Sequence, residues 1–316
     1  MEKLHKSLIK KPLEAPHTGI YFGITSNGGS KSVVLATRGV IGGGQTAIVN
    51  TMDYITIATT GDADDFGDLQ QARYGIASVY SDTRGVFCAG YSGSYHDTMD
   101  YITTLTTGDA STFGALSSAT YSIAGVSNLT RGCMTASVGS GNRIDYITIA
   151  TTGDSSDFAN LTVSRTLLGG NVNSETRGVF FGGHASFLSV MDYITIDTIA
   201  DATTFGDLTV GRYSPAGLSS ETRGVMFGGL QTGSSVVNTI DYITIATTGS
   251  ADDFGDLVGG DANAMVGGMT NDTRGCMCGH SSSKNNIDYI TIDTQANSTD
   301  FGDLTDARNG GGGVSG

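Results

Sequence analysis

Tryptophan is absent from the 316 residues; proline occurs three times (Pro12, Pro16, Pro215), glutamate four times and lysine six times, with only Lys31 and Lys284 beyond Lys11. Each scarcity removes a class of explanation. With so few lysines and a formal net charge of −14, no basic patch can neutralise a phosphate backbone, so the expectation is no nucleic-acid partner and no anionic membrane partner. No apolar run is long enough for a membrane-spanning helix, and the N-terminal "MEKLHKSLIKKPLEAP" lacks the apolar centre of a signal peptide. The expected product is made in the cytoplasm, not exported by the general route and not inserted in a membrane. Cys88, Cys133, Cys276 and Cys278 are too few for a disulfide framework. All four fall just after a TRG-type string, where other copies carry Val, Ile, Phe or Thr, which predicts buried strand thiols.

What is plentiful points one way. Glycine reaches 47 residues, and Thr, Ile, Tyr and Val are abundant, a composition of strands joined by tight turns. The body reads as all-β.

The chain also repeats itself. TRG begins at Thr37, Thr83, Thr130, Thr176, Thr222 and Thr273, and DYIT at Asp53, Asp100, Asp145, Asp192, Asp241 and Asp288. A Phe followed three residues later by Leu stands at Phe66, Phe113, Phe158, Phe205, Phe254 and Phe301, always 12 residues after the Tyr of DYIT, whereas the stretch from TRG to DYIT runs from 15 to 19 residues. A fixed spacing marks a packed unit and a variable one a free loop. Repeats of about 47 residues suit four-stranded propeller blades. Strands are expected over stretches such as 73–81, 177–183, 192–196 and 205–210, in that radial order, with the small side chains of 214–220 and 310–316 innermost and the large apolar ones filling the wedges between blades. The chain enters at a second strand (37–44) and ends with a first strand (308–316), so the two ends should complete one blade and close the ring.

These strings resemble kelch repeats, in which a hydrophobic strand ends in a Gly pair, a Tyr follows in the third strand, and an aromatic and then an Arg follow it. Gly43–Gly44, Gly182–Gly183 and Gly228–Gly229 match the pair; the Tyr of each DYIT matches the Tyr; Arg73, Arg165, Arg212 and Arg308 match the Arg. Phe stands where that family has Trp; Ala89–Gly90, Ala136–Ser137 and Gly279–His280 depart from the Gly pair, and Thr120 and Asp261 replace the Arg. The resemblance implies an all-β, six-bladed propeller over residues 32–316, preceded by an arm over 1–31, and leaves function open, because kelch propellers do many unrelated things. The wording near "DYITIATTGDADDFGDL" is also similar to repeat proteins encoded by tailed bacteriophages, which implies a virion component.

The search for chemistry yields repeated polar residues and little else. "GDADDFGD" (61–68) has the alternating carboxylates that calcium prefers, yet "GDASTFGA" (108–115) lacks most of them in the same place. A turn whose side chains bond local backbone is the expectation. Six equivalent DYIT aspartates suit architecture better than one catalytic carboxylate, each satisfying backbone donors in its own blade or the next, and the six TRG arginines are the expected partners for them. His96, His184 and His280 fall in variable loops and are expected to be solvent-exposed, not metal ligands. No cofactor or metal is expected, nor any catalytic residue.

What remains is a surface. The variable loops (43–51, 91–98, 139–143, 184–189, 230–238, 280–286) should gather on one face with the crossovers between blades. Candidate binding residues there are Tyr91, Tyr95, His96, His184, Phe187 and Gln231, with Tyr74 and Tyr213 just after blade-end arginines. In the arm, Leu4, Leu8, Ile9, Lys10 and Lys11 could anchor the chain to a partner; a disordered tail is the alternative. The expected role is a non-enzymatic virion structural or appendage protein, its partners other virion proteins or a host surface glycan or protein, self-association being compatible. The alternatives are a carbohydrate-acting enzyme or lectin with its site at the channel mouth, and an intracellular scaffold.

Overall fold

Period-two burial along each repeat sets the architecture, because DYIT strands bury Met or Ile, the Asp and the following Ile against neighbours while the last Thr faces solvent. In the computed structural model the described residues are 37–45, 47–135, 141–185, 188–231, 233, 235–258, 267–278 and 284–316. Residues 1–31, including Leu4, Leu8, Ile9, Lys10 and Lys11, lie outside them, as do Phe187, Ala136–Ser137, Asp261 and His280. The described residues form six four-stranded antiparallel sheets, a six-bladed β-propeller.

The first blade contributes β1 (Arg38–Gly44), β2 (Val49–Thr56) and β3 (Asp64–Asp68). The second comprises β4 (Ala77–Tyr80), β5 (Arg84–Tyr91), β6 (Tyr95–Thr103) and β7 (Ser111–Thr120), and the third β8 (Gly125–Ser127), β9 (Arg131–Thr135), β10 (Arg143–Thr148) and β11 (Ser156–Asn160). The fourth holds β12 (Gly169–Asn173), β13 (Arg177–Phe181), β14 (Val190–Thr195) and β15 (Thr203–Asp207), and the fifth β16 (Ala216–Ser219), β17 (Arg223–Phe227), β18 (Thr239–Thr244) and β19 (Asp252–Asp256). The sixth has β20 (Gly268–Thr270), β21 (Arg274–Cys278), β22 (Asn286–Thr291) and β23 (Thr299–Asp303); β24 (Gly312–Ser315) returns to the first blade. There β24 pairs with β1 through Val40↔Val314 and Ile41↔Gly313, so both ends of the propeller sequence share one sheet. This is the expected closure.

The outermost strands begin about two residues earlier than the sequence suggested, over Thr203–Asp207 instead of 205–210. The reason is local. Leu208 N–H turns to Ser189 O at 2.8 Å and Thr209 N–H to Asp241 of the next blade, so the ladder ends at Asp207.

The first strands touch one another around a closed ring, and glycine is what allows them so near. A Cβ on Gly125, Gly170, Gly217 or Gly268 would lie 2.3, 2.3, 2.5 or 2.1 Å from the carbonyl oxygen of Ser78, Gly125, Gly170 or Gly217, in each case backbone of the preceding blade. Further out, six apolar clusters occupy the six seams. One joins Val86, Met99 and Phe113 of the second blade to Met134 and Ile147 of the third; another joins Ile41 and Ile55 of the first to Met269 and Phe301, closing the circle. Burying each such side chain contributes about 1.5–3 kcal/mol, so every seam is a core of its own.

Candidate functional site

The repeated polar residues are occupied in holding blade to blade. Buried Asp100, Asp192 and Asp241 form ion pairs with the equally buried Arg73, Arg165 and Arg212 at 2.9, 3.1 and 2.9 Å, and Asp53 pairs with Arg308. Each Asp also accepts from the first residue beyond Leu in the preceding blade: Gln70 N–H at 3.3 Å, Thr162 at 3.2 Å, Thr209 at 3.2 Å and Thr305 at 3.0 Å. These bonds fill the carboxylate side of each buried pair, as its desolvation requires, while Nε of Arg73, Arg165, Arg212 and Arg308 has no hydrogen-bond partner among the described residues.

The TRG arginines do not pair with these aspartates, contrary to expectation, and register explains why. Arg38 stands opposite Thr56, whereas Asp53 stands opposite Ile41, three residues or roughly 10 Å along the strand. All six TRG guanidinium carbons instead lie 4.2–4.7 Å from the centroid of the DYIT tyrosine in their own blade, and that ring meets the blade's Phe edge-on at 6.0–6.1 Å. The same arginines donate to a carbonyl of the next blade at 2.8–3.5 Å, and Arg274 to Ile57 completes the circuit. One side chain thus serves a cation–π contact within its blade and a hydrogen bond between blades.

The acidic loop before Phe has a related task. Asp62, Asp109, Asp154 and Asp201 accept backbone N–H from Asp303, Asp68, Ala115 and Asn160 at 2.9–3.1 Å, all in the outermost strand of the preceding blade. Gly108, Gly153 and Gly249 N–H add bonds of 2.7–2.9 Å to the carbonyls of Phe66, Phe113 and Phe205. The partners are in the neighbouring blade and not local, a correction to the expected turn. Each loop caps an edge that would otherwise be open to other chains. Among the described residues, no group of three or more His, Cys, Asp and Glu side chains could hold a metal ion. All four cysteines are buried, and burial pushes the thiols of Cys88, Cys133 and Cys276 up to about 12, so they are inert at neutral pH.

Among the described residues, loops and crossovers of four blades meet on one face, tied by backbone. The residue after the Gly-pair position bridges the residue after a blade-end Arg in four places: Gln45 with Asn309, Tyr91 (after Ala89–Gly90) with Tyr74, His184 with Thr166, Leu230 with Tyr213. Successive crossovers bond in turn, Gly75 N–H to Gly310 O, Ser122 N–H to Gly75 O and Ser214 N–H to Leu167 O, each at 2.7 Å. A collar results, surrounding a hollow on the axis whose polar side chains, among the described residues, are Ser78, Ser122 and Asn171. No titratable group lines it there. Asn171 spans the axis, its side-chain nitrogen donating to Ser78 O at 3.1 Å and to Gly125 O at 3.2 Å.

On this collar the structure brings together Tyr74, Tyr91 and Tyr95 and adds Tyr121. Ring centroids lie 5.6 Å apart for Tyr74–Tyr91 and Tyr91–Tyr95, 5.7 Å for Tyr91–Tyr121, and 5.1 Å for Tyr95–Tyr121, which stack at 18°. The β5–β6 ladder runs on to Tyr91↔Tyr95 and turns tightly at Ser92–Ser94, so the hairpin tip carries two rings while the crossovers on either side supply the others. Burial, then Tyr121, Tyr91 and Tyr95, raises the Tyr74 phenol above its ordinary value. His96 is half-buried, not exposed as expected, with a ring nitrogen 2.6 Å from Ser92 Oγ; burial and Arg73 hold its pKa below the usual value.

His184 and Tyr213 form a separate edge-on pair at 5.6 Å, with His184 exposed. Gln231 N–H bonds Ser235 O in the fifth blade's loop, one residue after Leu230, which pairs with Tyr213. Tyr121 escaped the sequence reading because Thr120 hides the blade-end arginine before it. Aligned by position, Thr120–Tyr121 is the counterpart of Arg73–Tyr74 and Arg212–Tyr213. Comparison with protein-family models and with curated proteins finds no match.

Proposed function

We propose that this chain is a non-enzymatic recognition and structural protein, its closed disc presenting the collar face to a partner. One observation carries this reading. The charged residues that recur in every repeat are tied into seams, whereas the accessible chemistry that differs from blade to blade, the four-tyrosine cluster foremost, sits on the loop face. Aromatic rings with a polar tip, on rigid backbone, are favoured at binding surfaces.

The kelch-like repeat and its similarity to repeats encoded by tailed bacteriophages support a virion or appendage setting, with a host surface molecule or a neighbouring virion subunit as partner and residues 1–31 as the anchor. Deleting residues 1–31 should leave particles without the propeller, as read by mass spectrometry of purified virions. Normal incorporation of the truncated chain overturns the anchor, and absence of the full-length chain from particles overturns the virion setting.

A further inference from the structure

We propose that Tyr74, Tyr91, Tyr95 and Tyr121 form a platform for an uncharged saccharide, whose C–H faces stack on the rings while its hydroxyls meet the polar hairpin tip. This deepens the reading of the collar as a recognition face and rests on it.

Ring spacing selects the ligand class. A cage for a methylated ammonium needs facing rings about 7–8 Å apart, twice a carbon–carbon contact of roughly 3.5–4.0 Å. Tyr95 and Tyr121 stack at 5.1 Å, and the contacting pairs Tyr74–Tyr91, Tyr91–Tyr95 and Tyr91–Tyr121 lie at 5.6–5.7 Å. Nothing fits between them. The rings therefore act through their outward surfaces, as a platform, and Tyr95 is 45% exposed. Protein interfaces need about 800 Å² from each partner, more than four mutually packed rings of roughly 150–250 Å² each can leave open; a few sugar units suit the dimensions.

Charge points the same way. Arg73 is buried against Asp100 beneath the cluster, His96 is held toward its neutral form, and Asp97 is the remaining neighbouring charge on the hairpin. A chain of net charge −14 repels anionic glycans at long range. Ser92, Ser94 and His96 line the hairpin with hydroxyl and imidazole groups able to donate or accept. The tip is already ordered, by Ser92 N–H to Ser94 O at 3.1 Å and by the paired Tyr74 and Tyr91 backbones at 3.2 and 2.8 Å. Little entropy is then lost on binding.

Because tryptophan is absent, tyrosine fluorescence of the full chain reports binding directly. Maltoheptaose, cellohexaose, chitohexaose and yeast mannan are the neutral probes and polygalacturonate the anionic one. Saturable binding of a neutral probe is expected, weakened about tenfold or more by Tyr95→Ala and by Tyr121→Ala, largely kept by Tyr95→Phe, and unmoved by Leu129→Ala in an exposed turn on the other face. Circular dichroism confirms that each variant is folded. Failure of every neutral probe, preference for polygalacturonate, or binding indifferent to both alanine variants overturns the proposal. Blocking of particle adsorption by the purified propeller separates it from the broader reading: blocking that survives Tyr95→Ala overturns the platform alone, whereas saccharide binding without any blocking supports the platform and overturns the host-recognition role.

Discussion

The second and fourth blades share one backbone plan and differ where it faces outward. On the collar the fourth presents Thr166, His184 and Tyr213, and the second, at the same three positions, Tyr74, Tyr91 and Tyr121. The fourth leaves through Arg212, buried against Asp241; the second leaves through Thr120. The fourth has a glycine at φ +64, Gly182, where the second has Ala89 at φ +62. Between these two blades the departures from the repeat fall in the one with the aromatic cluster, and the seams still close around them. A repeated frame tolerates local loss because each seam is held by several independent contacts.

The largest test of that comparison is its charge pair. Arg212→Met leaves Asp241 buried without its cation, and removing one partner of a buried pair costs about 3–5 kcal/mol; Thr209 alone cannot offset that. In the third blade, entered through Thr120, Asp145 relies on Ser117 and Ser155 hydroxyls at 2.5 and 2.9 Å and on Arg143, 2.7 Å away and 29% exposed. Arg143→Met should therefore cost about 1 kcal/mol or less. Urea denaturation of both variants decides the matter, and equal losses would mean that the third blade has not replaced its missing arginine.

Much of this was legible in the sequence, for physical reasons. Six copies of TRG, DYIT and the Phe–Leu pair at fixed spacing specify a wedge, and a β-wedge with no other edge to cover closes on itself; β24 against β1 followed from the two ends. The partner of each Asp did not follow. The repeat pointed to Arg38 as the partner of Asp53, and strand register moves Arg38 away and leaves the place to Arg308. Tyr74, Tyr91 and Tyr95 could be suspected one by one as loop aromatics, but their convergence with Tyr121 depends on two crossovers flanking one hairpin, which spacing along a chain does not encode. The acidic loops misled in their partners because a carboxylate cannot announce which backbone it will face.

A second test uses the Gly pair. Gly182→Ala would place a Cβ 2.6 Å from Arg212 O at a left-handed φ, costing about 2–3 kcal/mol through strain and overpacking. Ala89→Gly in the second blade relieves the same φ without opening a large space, and a gain of about 0.5–1 kcal/mol is expected, less than the full strain because glycine also frees the unfolded chain. Opposite signs in thermal melts would show that one conformation is required in both blades; a loss from Ala89→Gly would show that the buried methyl outweighs it.

The smallest effect concerns His96, whose counterpart in the fourth blade is the untitratable Leu188. Burial first, and Arg73 second, lower its pKa in the folded chain, with Asp97 opposing. Unfolded, the imidazole titrates near about 6.5. Between the lowered folded value and that one, the unfolded chain binds more protons, so stability rises with pH across this window; the contribution is present above about 6.5 and is lost as the pH falls through the folded value. Urea midpoints measured at pH 7.5 and 5.5 should accordingly fall further for the parent chain than for His96→Gln, which removes the titration while keeping a polar partner for Ser92. Parallel pH profiles would mean that the ring accepts its proton in place without resisting it. The tyrosine hairpin above it would then owe nothing to a neutral imidazole.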